Sequence, residues 1–191
     1  MARPREFDEA AALDAAVDHF WLHGYQSTSV RELAAAMGIT GASLYNAFGD
    51  KRALFKMALA RYIATGIEGR VIREHQSTVR AIEAFFKEIV NYSIKDKNRK
   101  GCLLVNSALE LGDDDVELKG VVSDVFVEIE DFFRRAIARG QEQGEVSTGL
   151  PATDLARLLL GALLGIRVLA RVRPNRALLE GIARSAILVL R

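Results

Sequence analysis

The sequence predicts an all-α protein. Its apolar segments are rich in Ala, Leu, Glu and Arg, and the 191 residues include only three prolines; the former are the residues that lose least on entering a helix. Apolar positions recur at spacings of three and four between Gly, Ser/Thr and Pro punctuation, the period of a helix with one buried face. No segment alternates apolar and polar residues strictly enough to read as a strand.

Each element follows from these signals in turn. Asp8 to His23 carries a broad apolar face through Ala12, Ala16 and Phe20, and Gly24 stops it where a left-handed residue is cheap. Ser27, Thr28 and Ser29 offer N-caps for a short helix to about Met37, with Glu32 three residues after Ser29 as in a capping box. Gly38 ends that helix, Thr40 caps a third over Gly41 to Phe48, and Gly49-Asp50 breaks the chain before a fourth from Lys51 to about Thr65. Longer helices are predicted over Thr78 to Lys95, Cys102 to Leu111, Val116 to Gln143, Ala152 to Val172 and Arg176 to Leu190, about nine in all. Pro174 sits near a helix start, where its missing N–H costs little.

Composition narrows the function classes. Half of the residues are apolar and 27% charged, so a core can be buried and disorder is not expected. The formal net charge is only +1; nucleic-acid binding would have to come from a local arrangement of donors. Residues 1 to 7 lack the apolar run of a signal peptide, and the longest apolar stretch, Leu155 to Ala170, is short and contains Arg157 and Arg167. With one cysteine, Cys102, there is no internal disulfide framework. The expectation is a soluble cytoplasmic protein without a membrane partner. There is no Gly-rich phosphate loop and no Ser/His/Asp arrangement, so no reaction is nominated. His19 and His23 lie one turn apart without an evident third ligand and His75 is isolated; neither a metal nor a cofactor is called for.

Two short helices joined by a tight turn with Gly form a helix-turn-helix. Over Val30 to Phe48, small Ala34 allows close approach, Gly38 supplies the turn, and Leu33, Met37, Ile39, Leu44 and Phe48 can fill the core. Thr40, Gly41, Ser43, Asn46 and Ala47 are left on the outer face of the second helix, free to enter a major groove.

Thr28-Ser29, this segment, and then Gly49-Asp50-Lys51-Arg52-Ala53-Leu54-Phe55 resemble the signature of the tetracycline-repressor (TetR/AcrR) family. That signature runs Thr-Thr, an Ile/Leu-Ala pair, Gly-Val-Ser, then Leu-Tyr-x-x-Phe-x-x-Lys-x-x-Leu. The match covers about Phe20 to Leu59. The resemblance implies that Thr28, Thr40, Tyr45 and Lys51 hold DNA phosphates, contacts that position the protein without reading sequence. Base reading would fall to Ser43, Asn46 and the backbone or methyl of Gly41 and Ala42; Asn can pair with adenine bidentately. The chain departs from the family in having Gly41 where a basic residue is common and Ala42 where Gly is. Residues 1 to 60 hold six Lys/Arg against seven Asp/Glu, which implies a modest salt dependence. Arg3 and Arg5 are candidates for a minor-groove arm.

The last two helices carry Leu155, Leu158, Leu159, Ala162, Leu163 and Ile166, then Leu178, Leu179, Ile182, Ile187 and Leu188, with Gly161 and Gly165 four apart. Both are too apolar for a monomer surface. In the resembled family these helices build a four-helix dimer interface, which here implicates Leu158, Ala162, Gly165, Leu179 and Ile182; a symmetric homodimer matches a pseudo-palindromic operator. The same resemblance implies an inducer pocket in the middle helices. Its candidates are Phe85, Ile89, Tyr92, Cys102, Leu103, Asn106, Glu110, Phe126 and Phe133, where polar Asn106 and Glu110 stand one turn apart among apolar and aromatic residues. Alternatively, Asn106 caps a neighbouring backbone and Glu110 is solvated.

The expected organisation is a DNA-binding domain over residues 1–50 and a ligand-binding and dimerisation domain over 51–191, joined through the helix 51–65. The expected function is a sequence-specific repressor, not an enzyme, released from operator DNA by a small-molecule inducer. The alternatives are an activator, or a redox or electrophile sensor in which Cys102, following Arg99 and Lys100 at a helix start, is the reactive thiol.

Overall fold

The computed structural model describes residues 7–66 and 77–191. Arg3, Arg5 and His75 of the sequence analysis lie outside them. Among the described residues there are nine α-helices and no strand. They are α1 (Glu9–His23), α2 (Val30–Ala36), α3 (Gly41–Phe48), α4 (Lys51–Gly66), α5 (Thr78–Lys95), α6 (Leu103–Glu110), α7 (Val116–Glu142), α8 (Ala152–Val172) and α9 (Arg176–Leu188). Each lies within a residue or two of its predicted span, because the stop and start signals are used as such.

Asp8 caps α1, its carboxylate accepting from the Ala10 and Ala11 amides. Ser29 and Glu32 form the full capping box of α2, and Thr40 accepts from the Ser43 amide to cap α3. Asp50 accepts from the Ala53 amide at the start of α4. Ser77 and Asn175 do the same for α5 and α9. Each such cap satisfies a backbone donor the helix cannot, a contribution of about 1 kcal/mol. At the start of α6 Cys102 holds the cap position without a side-chain hydrogen bond.

Packing follows the apolar stripes. The N-terminal helices enclose Ala16, Phe20, Leu33, Leu44, Leu54 and Phe55, all fully buried, with Phe20 and Phe55 edge to face at 4.8 Å. In the larger part, α8 packs between α7 and α9, and α9 also lies on α5. Phe85, Phe86, Phe132 and Phe133 form a ring cluster between α5 and α7, with Phe86 and Phe133 fully buried and stacked at 6.0 Å. Burying one such side chain stabilises by roughly 1.5–3 kcal/mol. α4 packs along α1 and also touches α6. It therefore belongs physically to both halves of the chain. Among the described residues no helix is long and apolar enough to cross a membrane.

Candidate nucleic-acid interface and regulatory cavity

α3 is held by its inner face. Leu44 is fully buried and Phe48 nearly so, against Leu33, Ala34 and Met37 of the preceding helix and turn. Gly38 makes that turn at φ +68, a conformation that costs an ordinary L-residue energy. With two apolar residues four apart turned inward, the intervening positions must face out. Thr40, Ala42, Tyr45 and Asn46 are exposed, and Gly41, Ser43 and Ala47 half-buried. Tyr45 is 54% exposed with its ring on the surface. A Cβ at Gly41 would meet nothing within 4 Å, so the missing side chain leaves open space and not a buried gap. Thr40 and Ser43 also share a hydroxyl–hydroxyl hydrogen bond of 3.0 Å. Their orientations are thereby fixed before any partner arrives.

Two phosphate candidates sit differently from the expectation. Thr28 is only 3% exposed and its hydroxyl donates to the Gly24 carbonyl at 2.6 Å. Its side chain therefore ties the α1–α2 turn and does not project outward. Lys51 folds back so that its ammonium lies 4.6 Å from the Tyr25 ring centre and 3.4 Å from the Gln26 carbonyl. Partial burial draws it below the ordinary lysine value. Nearby, Arg52 pairs with Asp115 at 3.4 Å and Lys56 with Glu117. Those two cations join α4 to the start of α7, so they face the larger domain and not a helix-turn-helix ligand.

A cavity of about 50 Å³ lies between α4, α5, α6, α7 and α8. Of the residues predicted for a pocket, Phe85, Ile89, Cys102 and Phe126 line it. The others do not. Phe133 and Leu103 are in the closed core. Tyr92 stacks parallel to Trp21 at 6.4 Å. Asn106 donates to the Lys100 carbonyl at 2.9 Å, the backbone-capping alternative. Glu110 accepts from the Tyr25 amide at 2.7 Å, so it reaches into the α1–α2 turn and not into the cavity. Lys100, expected beside Cys102, instead pairs with Asp18 at 3.0 Å and lies 4.1 Å over the Trp21 ring.

Sequence reasoning missed Tyr62 and Arg167, which line the same cavity. Tyr62 is 8% exposed and its hydroxyl donates to Cys102 Sγ at 3.6 Å. Burial, above all, pushes its phenol far above the ordinary value, so it stays a donor. Arg167 is 5% exposed, with a 3.5 Å contact to Ser93 Oγ and its guanidinium 5.6 Å from the Tyr92 ring centre. The signal available in the sequence is an arginine set between the apolar runs 158–166 and 168–170.

On α8 and α9 a shallow groove is lined by Leu158, Gly161, Ala162, Leu178, Gly181 and Ile182 among others. Leu158 is 46% exposed, and a Cβ at Gly161, Gly165 or Gly181 would meet nothing within 4 Å. Leu179, expected at a dimer interface, is instead fully buried in the chain's own core and offers no surface to a second copy. The residue three further on, Ile182, points to the groove instead. His19 and His23 pack their rings 4.5 Å apart, and among the described residues no group of three metal-ligating side chains occurs.

These features match known proteins over the whole chain. Residues 12–58 fit the profile of "Bacterial regulatory proteins, tetR family" and residues 78–186 that of "Tetracyclin repressor-like, C-terminal domain". The chain is 31% identical over 172 residues to the HTH-type transcriptional repressor ComR of Escherichia coli strain K12, covering 88% of this chain and 82% of that one. It is 33% identical over 180 residues to the HTH-type transcriptional regulator YezE of Bacillus subtilis strain 168, covering 92% of each. Among solved structures, a cysteine mutant of the TetR family transcriptional regulator CifR, complexed with a 26-base-pair operator DNA, superposes with a TM-score of 0.90 at 31% identity over all of both chains. The chain is a DNA-binding transcriptional regulator, not an enzyme, and it belongs to the tetR family of bacterial regulatory proteins.

Proposed function

We propose that this protein is a repressor that binds a pseudo-palindromic operator as a homodimer and leaves it when a small molecule enters the cavity. The observation that carries the DNA-binding half is the outward row of Thr40, Ala42, Tyr45 and Asn46 on a capped α3 whose Leu44 and Phe48 are locked in the core. A pre-ordered polar helix face of this kind suits a major groove. Tyr45, Thr40 and Lys51 would hold phosphates, Lys51 after swinging off the Tyr25 ring, while Ser43, Asn46, Gly41 and Ala42 would meet bases. Thr28 would contribute through its turn, not its hydroxyl. The relatives named as repressors and the operator complex of CifR support the same partner. Such a protein works where the chromosome is, in the cytoplasm.

The dimer would form across the α8–α9 groove. Its open glycines allow close backbone approach, and its exposed Leu158 needs a cover. Release would begin at α6. Cys102, Leu104 and Val105 face the cavity from one side of this segment, and Glu110 at its far end holds the α1–α2 turn. A ligand that displaces α6 would pull on that turn and change the separation of the two α3 helices. A coupling of about 1–3 kcal/mol suffices for a strong response.

Fluorescence anisotropy against the DNA upstream of the protein's own gene tests this reading. Tight, salt-sensitive binding that is lost in Tyr45→Ala/Lys51→Ala is the expected result. Equal binding by both proteins would overturn it. Cys102 gives a second reading, as an electrophile or redox sensor, because its sulfur lines the cavity beside Tyr62. Unchanged induction by electrophiles in Cys102→Ser would reject that alternative.

A further inference from the structure

Arg167 is the one feature of the cavity that packing does not explain. Its guanidinium carries five N–H donors in a fixed plane and cannot escape burial by losing its proton. Yet it is 95% removed from solvent, and its hydrogen bond among the described residues is a long one, 3.5 Å to the neutral Ser93 hydroxyl. No ion pair joins it to a carboxylate among the described residues. The Tyr92 ring face 5.6 Å away offsets only part of the lost hydration. Buried charges are ordinarily paired, since an unpaired one costs far more than a neutral side chain of the same size.

The missing partner has a place to sit. Arg167 lines the cavity together with Tyr62, whose hydroxyl is held 3.6 Å from Cys102 Sγ, a weak acceptor that an anionic oxygen would readily replace. The rest of the wall is apolar, with Phe85, Ile89, Leu104 and Phe126. We propose, building on the ligand-responsive reading above, that this cavity binds a small organic carboxylate, its anionic group paired with Arg167 and its short hydrocarbon part against these side chains. The guanidinium fork matches the two oxygens of a carboxylate, and Tyr62 supplies a further hydrogen bond. Size limits the hydrocarbon part. Room of about 50 Å³ holds about three to five waters at 10–15 Å³ each, which suits an acid with a short chain better than a multi-ring drug.

Calorimetric titration of the full-length protein at neutral pH with propionate, butyrate and benzoate, beside propionamide, butyramide and benzamide, tests the assignment. At least one acid is expected to bind, with its amide at least tenfold weaker. Arg167→Gln is expected to remove the difference between acid and amide, and Tyr62→Phe to reduce acid affinity severalfold. No binding by any of the acids, amides that bind as well as acids, or acid affinity unchanged in Arg167→Gln would each overturn the carboxylate site. Should Arg167→Gln not fold, the acid–amide comparison on the unaltered protein decides by itself. The same acids are then added to the operator complex. Binding without release would leave the anion site standing and reject the inducer mechanism. Release by an uncharged molecule, with no acid bound, would do the reverse.

Discussion

The carboxylate of Glu110 occupies the space in which a side chain on Gly24 would begin. A Cβ built on Gly24 would lie 2.5 Å from both Glu110 oxygens, and the glycine itself stands at φ +86, ψ 167. Glu110 closes onto this bare backbone to accept the Tyr25 amide at 2.7 Å. A helix of the larger domain thus reads the conformation of the turn that carries the helix-turn-helix.

Gly24→Ala is expected to destabilise the fold by about 1–3 kcal/mol from backbone strain alone, with the collision against Glu110 adding to it. Urea denaturation measures the loss. A cost under about 0.5 kcal/mol would mean that the turn and α6 part easily.

Glu110→Ala leaves the partly buried Tyr25 amide without its acceptor, a penalty of about 1 kcal/mol, the low end for an unsatisfied donor. The more informative effect is on regulation. If the turn is moved through this bond, the variant keeps its DNA affinity but loses most of its response to the effector, read as the effector concentration needed for release. A full response in Glu110→Ala would place the coupling elsewhere, such as the Arg52–Asp115 and Lys56–Glu117 pairs.

Tyr45→Ala is expected to change stability by no more than about 0.5 kcal/mol, because an exposed ring contributes little to folding. Operator affinity should nevertheless fall about tenfold or more. In Lys51→Ala the slope of log affinity against log salt should shallow by about one, the loss of one phosphate contact. Anisotropy titrations at several salt concentrations read both quantities.

Leu158→Arg puts a charge on the apolar groove of α8 and α9, and is expected to leave a folded monomer. Light scattering after gel filtration would report half the mass of the unaltered protein, with operator affinity much reduced. Leu179→Ala, in contrast, should cost about 2–5 kcal/mol of folding stability, because that residue is fully buried in its own subunit.

Acid should weaken the fold in two stages. Burial, then the His23 charge, hold His19 below its ordinary value of 6.5, so the unfolded chain binds that proton more readily. The stability is therefore complete above pH 6.5 and falls as pH drops through the folded value. Hydrogen bonds from Arg61 to Asp14 and from Ser29 to Glu32 hold those carboxyls below their ordinary values of 3.8 and 4.5. Their contribution is present above those values and is lost on further acidification. All are exposed enough for solvent to keep each effect small. In thermal melts from pH 8 to about pH 2, His19→Gln should flatten the upper stage and leave the lower one.

The amino-acid sequence by itself determined what is local. Caps such as Ser29–Glu32 and Thr40–Ser43, the turn glycine Gly38, and the inward pair Leu44 and Phe48 all act within a few residues of one another. Helix bounds and the outer face of α3 were therefore legible without any tertiary contact. The tertiary structure decided what depends on partners distant in the chain and on helix rotation. Glu110 meets Tyr25 across 85 positions, and no spacing rule could distinguish that from a pocket residue. α9 is apolar on two sides, so periodicity alone could not tell Leu179, turned into the core, from Ile182 on the groove. Thr28 is the local exception: its acceptor, the Gly24 carbonyl, is only four residues away, but an irregular turn and not a helical period brings the two together. Arg167 became notable only once five helices had closed around it, because an unpaired charge is unremarkable in water and costly only where packing has removed the water.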